Sequence, residues 1–208
     1  MSVATFWEEH VLAGPFADAV ESFEALRERE RLYPDLRRLM PVDLPGRVVL
    51  DYGCGPGHDT VMTLLSGARR VYYADASVSA LQITMSRLGL HELGGGVAVL
   101  VADDGEPQLP LGIEHAHCAG VLHHVSDPLA VLSGIRKVLP LGCELRLMVY
   151  DGDRSRHTQS EVPITHWWSE RELKALAREA EFDARYVGGY ECSSSWRPDC
   201  FAACYVLK

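Results

Sequence analysis

The chain has 208 residues, of which 47% are hydrophobic, and it carries a formal net charge of −9 at pH 7. This length suits one domain, or one domain with a cap, that buries a substantial core. The acidic balance argues against a nucleic-acid partner. No apolar run reaches the ~18 residues that predict a membrane-spanning helix, so no membrane partner is expected.

The N-terminus and the cysteines bear on the compartment. Glu8 and Glu9 stand where a signal peptide would carry basic residues. The six cysteines are scattered and form no CxxC pair. This pattern favours reduced thiols packed as small apolar side chains over disulfides or a metal site. We therefore predict a cytoplasmic protein with no bound metal.

Residues 1–45 precede the first predicted strand and are predicted to form an N-terminal helical cap. Apolar residues at helical spacing predict a helix over 17–40, interrupted at Pro34. Its alternating Arg and Glu residues are typical of a solvated helix face. In the alternative interpretation the helix covers a ligand crevice, and Tyr33 or one of the arginines reaches the substrate.

From residue 46 onward strand and helix patterns alternate, which predicts one domain over 46–208. The predicted strands are 47–52, 70–75, 97–102, 114–121, 142–150, 183–190 and 199–207. The predicted helices are 57–66, 78–89, 127–138 and 169–181, the last with a capping box formed by Ser169 and Glu172. Repeated βα units predict an α/β fold, with a parallel sheet covered by helices on both faces.

Residues 48–57 indicate where a ligand binds. An apolar run, typical of a buried parallel strand, ends in Asp51, and Gly53, Gly55 and Gly57 follow at every second position. Glycines let the backbone turn sharply and let a ligand lie against bare main chain. Because open α/β sheets bind ligands at the carboxyl ends of their strands, we expect the binding crevice at this turn.

The residues around this turn discriminate between nucleotide ligands. A P-loop needs Lys followed by Ser or Thr after its last glycine, whereas His58 and Asp59 stand there. The dinucleotide fingerprint needs G-x-G-x-x-G, whereas the spacing here is G-x-G-x-G. No Lys or Arg occurs over 48–68 to meet a phosphate. A nucleotide-dependent oxidoreductase is therefore a distant alternative.

Acidic residues follow three successive strands: Asp51, Asp75, and the pair Asp103 and Asp104. Asp75 lies about 20 residues beyond the glycines, where a carboxylate accepts hydrogen bonds from the ribose hydroxyls of a nucleoside. Charge-assisted hydrogen bonds of this kind contribute roughly 1.5–3 kcal/mol each. Such acids suit a ligand with hydroxyls, amines and a positive charge, and S-adenosylmethionine carries all three.

Four motifs occur in order along the chain, at 49–57, 71–77, 101–103 with Leu109-Pro110, and 120–128. Together they resemble the motifs of the class I S-adenosylmethionine-dependent methyltransferases of the small-molecule branch. The resemblance covers residues 48–207. It implies a Rossmann-like, doubly wound, seven-stranded sheet that is mostly parallel and has an antiparallel last strand.

The same resemblance implies the cofactor contacts. The matching positions are Asp51, Gly53, Gly55, Gly57, Asp75, Ala76, Asp103, Asp104 and Gly120. By this carry-over the glycine loop lies along the methionine part, Asp51 holds its amine, and Asp75 binds the ribose. Asp103 binds the adenine amine, with Asp104 as the alternative because the segment 110–114 is shorter than usual.

Two adjacent histidines, His123 and His124, follow the fourth strand where it enters the crevice. With an unperturbed pKa of ~6.5, histidine is the natural base for removing a proton from an acceptor at neutral pH. His123 is favoured, since some small-molecule methyltransferases of this branch place a catalytic histidine after the same apolar pair. In the alternative the two histidines only shape the pocket. His117 lies inside the strand and is assigned to the core.

The variable segments are predicted to bind the methyl acceptor. Residues 151–168 form a long interval without periodicity, which is more typical of a lid or binding loop than of a plain connection. Tyr33, His166, Trp167 and Trp168 are the predicted substrate contacts. Docking of the two tryptophans onto the sheet is the alternative.

The predicted function is methyl transfer from S-adenosylmethionine to an oxygen or nitrogen of a small-molecule metabolite. The alternatives are C-methylation, carboxylate methylation of a small molecule or peptide, and a non-catalytic scaffold that binds S-adenosylmethionine. The acids and the histidine pair favour the enzyme.

Overall fold

The computed structural model describes residues 2–13, 43–102, 104–155, 162–194 and 197–208. The helix predicted over 17–40, together with Tyr33 and Asp103, lies outside these residues. The division between a cap at 1–45 and a core at 46–208 therefore stays a prediction.

Seven strands and five helices make up the described chain. The strands are β1 (Val48–Tyr52), β2 (Arg70–Asp75), β3 (Gly96–Leu100), β4 (His115–Ala119), β5 (Leu145–Tyr150), β6 (Ala184–Ser194) and β7 (Arg197–Leu207). The helices are α1 (Val3–Ala13), α2 (His58–Leu65), α3 (Val78–Leu90), α4 (Pro128–Val138) and α5 (Glu170–Glu179), and a short 3-10 helix covers Leu122–His124. Every strand, and every helix after α1, overlaps a predicted element.

Helix α1 has no counterpart among the predicted elements. The hydroxyl of Ser2 accepts a hydrogen bond from the backbone N–H of Thr5 at 3.1 Å, as an N-cap residue does. At the other end of the chain, α5 begins with the predicted capping box between Ser169 and Glu172. The cap signal of Ser2 was therefore present in the sequence for α1 as well.

The strands form one sheet in the order β3-β2-β1-β4-β5-β7-β6. The pairs β1–β2, β1–β4, β2–β3 and β4–β5 are parallel. β7 is antiparallel to both of its neighbours, β5 and β6. The predicted α/β architecture, mostly parallel with an antiparallel last strand, is confirmed.

The hydrophobic core has two layers, one on each face of the sheet. On one face Leu50 and Leu147 pack with Leu132 of α4 and Leu173 of α5. On the other face Val49 and Val71 pack with residues of α2 and α3, among them Val61, Leu64, Leu81 and Leu88. Helices on both faces leave the carboxyl ends of the parallel strands as the open rim of the sheet.

The cysteines differ in part from the expectation of reduced thiols. Cys54, Cys118, Cys143 and Cys204 are free, whereas Cys200 is disulfide-bonded. The expectation is therefore wrong for Cys200. Strands β6 and β7 bring Cys192 and Cys200 opposite one another in the ladder, a proximity that their spacing along the sequence does not reveal.

No helix in the described part of the chain combines the length and the apolar character that a bilayer crossing needs.

Candidate active site

The glycine turn after β1 presents bare main chain to open space. Gly53, Gly55 and Gly57 all have positive φ angles, of 74°, 51° and 84°. A Cβ on Gly53 would lie 2.1 Å from Val121 Cγ2, and one on Gly57 would lie 2.5 Å from Thr84 Oγ1. A Cβ on Gly55 would meet nothing within 4 Å. Packing therefore excludes side chains at Gly53 and Gly57, whereas Gly55 borders a space in which a ligand can lie.

Asp75, at the carboxyl end of β2, holds this turn in place. One carboxylate oxygen accepts a hydrogen bond from the N–H of Gly55 at 2.9 Å, and the other accepts from the N–H of Ser77 at 2.9 Å. Burial raises the pKa of Asp75, although these backbone hydrogen bonds partly offset it. Each carboxylate oxygen has a second lone pair, so the group can also accept from a ligand hydroxyl. Ala76 follows, half-buried.

Asp51 lies beneath the turn and is 3% exposed. Thr60, in the first turn of α2, donates its hydroxyl to the Asp51 carboxylate at 2.5 Å. Burial raises the pKa of Asp51 to about 6; nearby His117 lowers it, and Asp59 and Asp75 raise it further. A buried carboxylate at this position can bind a cationic amine.

His117 departs from its predicted place in the core. Its side chain is 18% exposed, and its Nε2 lies 3.4 Å from the Asp59 carboxylate of α2. Its side chain therefore belongs to the ionisable groups around Asp51.

The remaining cofactor positions follow β3 and β4. Asp104 is exposed in the loop after β3, and Asp103 lies outside the described residues. The assignment of the adenine contact to one or the other therefore stays a prediction. Gly120, at the end of β4, has a φ of 78°, and a Cβ there would lie 3.6 Å from Met148 Cε.

His123 and His124 lie on the short 3-10 helix after β4 and are 0% and 3% exposed. Nδ1 of His124 lies 2.9 Å from the carbonyl oxygen of Ile164 and 3.3 Å from the hydroxyl of Thr165. Because a carbonyl oxygen only accepts, Nδ1 carries the proton in the neutral ring, and Nε2 then carries the lone pair. His124 is thus held in the tautomer in which Nε2 can accept a proton.

Aromatic rings surround the histidine pair. The ring of Tyr150, at the end of β5, lies 3.8 Å from that of His123 between centroids. Trp167 stacks on Tyr150 with centroids 5.2 Å apart, and Trp7 of α1 lies 5.4 Å from the ring of His124. These rings form an aromatic wall against the histidine pair, and such flat apolar surfaces suit a planar acceptor.

The segment before α5 is anchored to the histidine pair through its backbone and side chains. The N–H of His166 donates to the carbonyl of His123 at 2.7 Å, and the ring Nε2 of His166 lies 3.0 Å from the carbonyl of Val125. Trp168 stacks on His166 with centroids 5.3 Å apart and packs against the core. Of the predicted acceptor contacts, Trp167 thus belongs to the aromatic wall, whereas Trp168 packs against the core of the domain.

Helix α1 bridges the two sides of the crevice. On the cofactor side, Ser77 donates its hydroxyl to Glu8 at 2.6 Å, and the hydroxyl of Ser79 donates to the same carboxylate. These hydrogen bonds lower the pKa of Glu8, and the N-terminus of α3 favours a carboxylate there. On the other side, Trp7 packs on His124. The helix therefore spans the rim from the predicted ribose end to the histidines.

Sequence reasoning missed Trp7, Glu8, Thr60 and Tyr150. Tyr150 had a usable signal, because it ends a strand as Asp75 does and as Asp51 nearly does. Among the described residues, no group of three or more His, Cys, Asp or Glu side chains could hold a metal ion.

Comparison with known proteins shows the family. The profile of a family described as a methyltransferase domain matches residues 25–187. A ubiquinone biosynthesis O-methyltransferase of Pseudomonas syringae pv. tomato is 29% identical over 140 residues, covering 59% of this chain and 58% of the relative. A tRNA U34 carboxymethyltransferase of Shewanella amazonensis is 32% identical over 120 residues, covering 53% of this chain and 34% of the relative. The chain thus spans less than two thirds of the length of these relatives.

Solved structures share the fold. The magnesium protoporphyrin IX methyltransferase of Synechocystis PCC 6803 superposes with a TM-score of 0.67 at 15% identity, covering 100% of this chain and 97% of that one. A SAM-dependent methyltransferase of Aquifex aeolicus superposes with a TM-score of 0.63 at 16% identity, covering 90% of this chain and 100% of that one.

Proposed function

The chain belongs to the methyltransferase domain family whose profile it matches, and from this premise we propose that it methylates an oxygen or nitrogen of a small molecule. S-adenosylmethionine is the methyl donor. The family resemblance that four sequence motifs predict is confirmed by this match.

One observation carries the choice of cofactor. The bare main chain at Gly55 borders open space, and its N–H donates to the Asp75 carboxylate. Asp51 lies two residues before the first glycine of the turn, and no Lys or Arg occurs over 48–68. These carboxylates therefore suit a ligand with a cationic amine and ribose hydroxyls better than a diphosphate. Asp51 would hold the amine, Asp75 the ribose, and Asp103 or Asp104 the adenine. When bound, S-adenosylmethionine supplies a methyl group that its sulfonium has already activated.

The residues of this chain then have two tasks. The walls of the crevice align the acceptor, which can lower the barrier by up to roughly 7–11 kcal/mol. A base within the His123–His124 pair takes the proton of the acceptor, and the hydrogen bond from His124 Nδ1 to Ile164 supports Nε2 of His124 in that role. His123 is fully buried and packs against the rings of both His124 and Tyr150, so we assign it to holding His124 in place.

The acceptor we favour is a planar aromatic molecule that carries a hydroxyl group. The rings of Trp7, Tyr150 and Trp167 around the pair support a planar acceptor. Several relatives are named as O-methyltransferases, which supports O-methylation. Other relatives are named as tRNA-modifying enzymes, but the net charge of −9 argues against an RNA acceptor. A cytoplasmic location stays part of the proposal; the four free cysteines support it, and the disulfide at Cys200 does not.

Calorimetry tests the cofactor assignment first. We expect micromolar or tighter binding of S-adenosylmethionine and S-adenosylhomocysteine, and no binding of NAD(P). Binding of NAD(P) in place of both would overturn the choice of cofactor.

Transfer of a labelled methyl group tests the acceptor. The panel contains phenols and catechols, aliphatic and aromatic amines, carboxylates, a peptide, and bulk tRNA. Label on a phenol or catechol supports the proposal, and label on tRNA or on a carboxylate refutes the acceptor class. Tight cofactor binding without transfer to any class would favour the non-catalytic scaffold.

A further inference from the structure

Behind the glycine turn, one face of the sheet carries three ionisable groups that the methyl-transfer scheme does not use together. Asp51 of β1 and His117 of β4 are paired in register, so their side chains project from the same face, on strands about 4.8 Å apart. Helix α2 packs on that face. It brings Asp59 to within 3.4 Å of His117 Nε2 and Thr60 to within 2.5 Å of Asp51.

Opposing charges act on the Asp51 carboxylate from each neighbouring element. Asp59 of α2 and Asp75 of β2 both disfavour its ionised form, as burial does. His117 of β4 favours the ionised form, and it is the largest influence in that direction, ahead of the Thr60 hydroxyl.

Other ionisable groups lie near His117. Arg146 of β5 lies opposite it in register, and its guanidinium is paired with Glu144. His115 lies two residues earlier on the same strand, and burial lowers its pKa to about 3, so it is neutral at physiological pH. The Asp59 carboxylate compensates the charge of His117 from α2.

We propose that His117, held by Asp59, is a positioning residue for the cofactor: its imidazolium charge keeps Asp51 ionised so that Asp51 can bind the ammonium of S-adenosylmethionine. The inference rests on the proposed function, since it takes Asp51 as the partner of that ammonium. By this inference the affinity for the cofactor, and its dependence on pH, depend on His117, which lies within β4 and does not contact the reacting methyl group.

The pH dependence follows from the direction of each influence. With the pKa of Asp51 at about 6, the carboxylate is half ionised at pH 6 and almost fully ionised at pH 8. An opposite charge within a few ångströms lowers a carboxyl pKa by about one unit or more. Without the imidazolium the midpoint of Asp51 ionisation moves up by about one pH unit. The affinity for the cofactor then falls about fivefold at pH 6 but hardly at all at pH 8.

The test is calorimetric binding of S-adenosylhomocysteine, which keeps the same ammonium, between pH 5.5 and 8.5. His117→Gln removes the charge, and His117→Lys keeps it. His91→Gln, at the C-cap of α3 and outside the group around Asp51, is the matched control. We expect His117→Gln to bind about fivefold more weakly than wild type at pH 6 and equally at pH 8. His117→Lys and His91→Gln should follow the wild-type profile.

Recovery of affinity at pH 8 also shows that the Gln variant is folded. The inference is overturned if the affinity of His117→Gln follows the wild-type pH profile, or if it is lower than that of wild type by the same factor at every pH. In either case, binding by the wild-type protein leaves the proposed function standing. No binding by the wild-type protein at any pH overturns the proposed function, and this inference with it.

Discussion

The glycine at position 55 allows the cofactor assignment to be tested with a closely matched control. Gly55 and Gly46 both have positive φ angles, of 51° and 77°, and a Cβ on either would meet nothing within 4 Å. An alanine in the left-handed region costs roughly 1–2 kcal/mol. For a domain of this size each kcal/mol lowers Tm by about 2–4 °C. Gly46→Ala and Gly55→Ala should therefore destabilise the protein equally, by about 2–8 °C.

Only Gly55 borders the crevice, so the two variants should differ in binding. A methyl group at Gly55 occupies the space in which the ligand lies against the main chain. We expect the affinity of Gly55→Ala for S-adenosylhomocysteine to fall roughly tenfold or more, which is at least about 1.4 kcal/mol. Gly46→Ala should bind as the wild type does. The assay is calorimetry at 25 °C, with Tm measured on the same samples. Wild-type affinity in Gly55→Ala, or an equal loss in Gly46→Ala, would refute the reasoning.

Three further predictions concern the histidines, Asp51 and α1. His124→Gln should lower kcat by roughly 10²–10⁴-fold and leave cofactor affinity near that of wild type; if both His123→Gln and His124→Gln keep full turnover, the base lies elsewhere. Burial places the pKa of Asp51 at about 6, above its unfolded value of ~3.9, so its stabilising contribution is lost as pH rises through 6. Asp51→Asn should thus raise the free energy of unfolding by on the order of 1–3 kcal/mol at pH 7.5 and by little at pH 4.5, as measured by urea unfolding. An equal increase at both pH values would contradict the raised pKa of Asp51. Glu8→Ala should speed hydrogen exchange of the α1 amides because the bonds to α3 are lost, whereas Glu9→Ala, at an exposed position, should not; identical exchange in the two variants would rule out Glu8 as the anchor.

Local patterns were sufficient to predict the strands, whereas the antiparallel last strand followed from the family resemblance. The buried run before Asp51 and the alternation of strands and helices specify βα units, and the observed strands overlap all the predicted ones. The capping box at Ser169 and Glu172 was also predictable, because its two residues lie three apart in the sequence. Signals that involve neighbouring residues are therefore visible in the chain itself.

Contacts between distant segments were not predictable. Glu8 accepts a hydrogen bond from Ser77, which lies 69 residues further along the chain. The local sequence around neither residue predicts this contact. His117 looked like a core residue because only the packing of α2 brings Asp59 beside it. Tyr150 became part of the site because β4 and β5 are neighbours in the sheet. These contacts depend on how the helices and strands pack together, so local sequence patterns do not predict them.

The strand order has a consequence for how the protein is made. β7 lies between β5 and β6, although it follows both of them in the chain. During synthesis β6 leaves the ribosome first and has no strand to pair with until β7 has emerged and inserted beside β5. Because contacts between distant segments form slowly and leave strand edges exposed meanwhile, this half of the sheet is the part that a nascent chain completes last. A stop codon just before Arg197 would remove β7, which would leave β6 with no neighbouring strand and β5 paired only with β4.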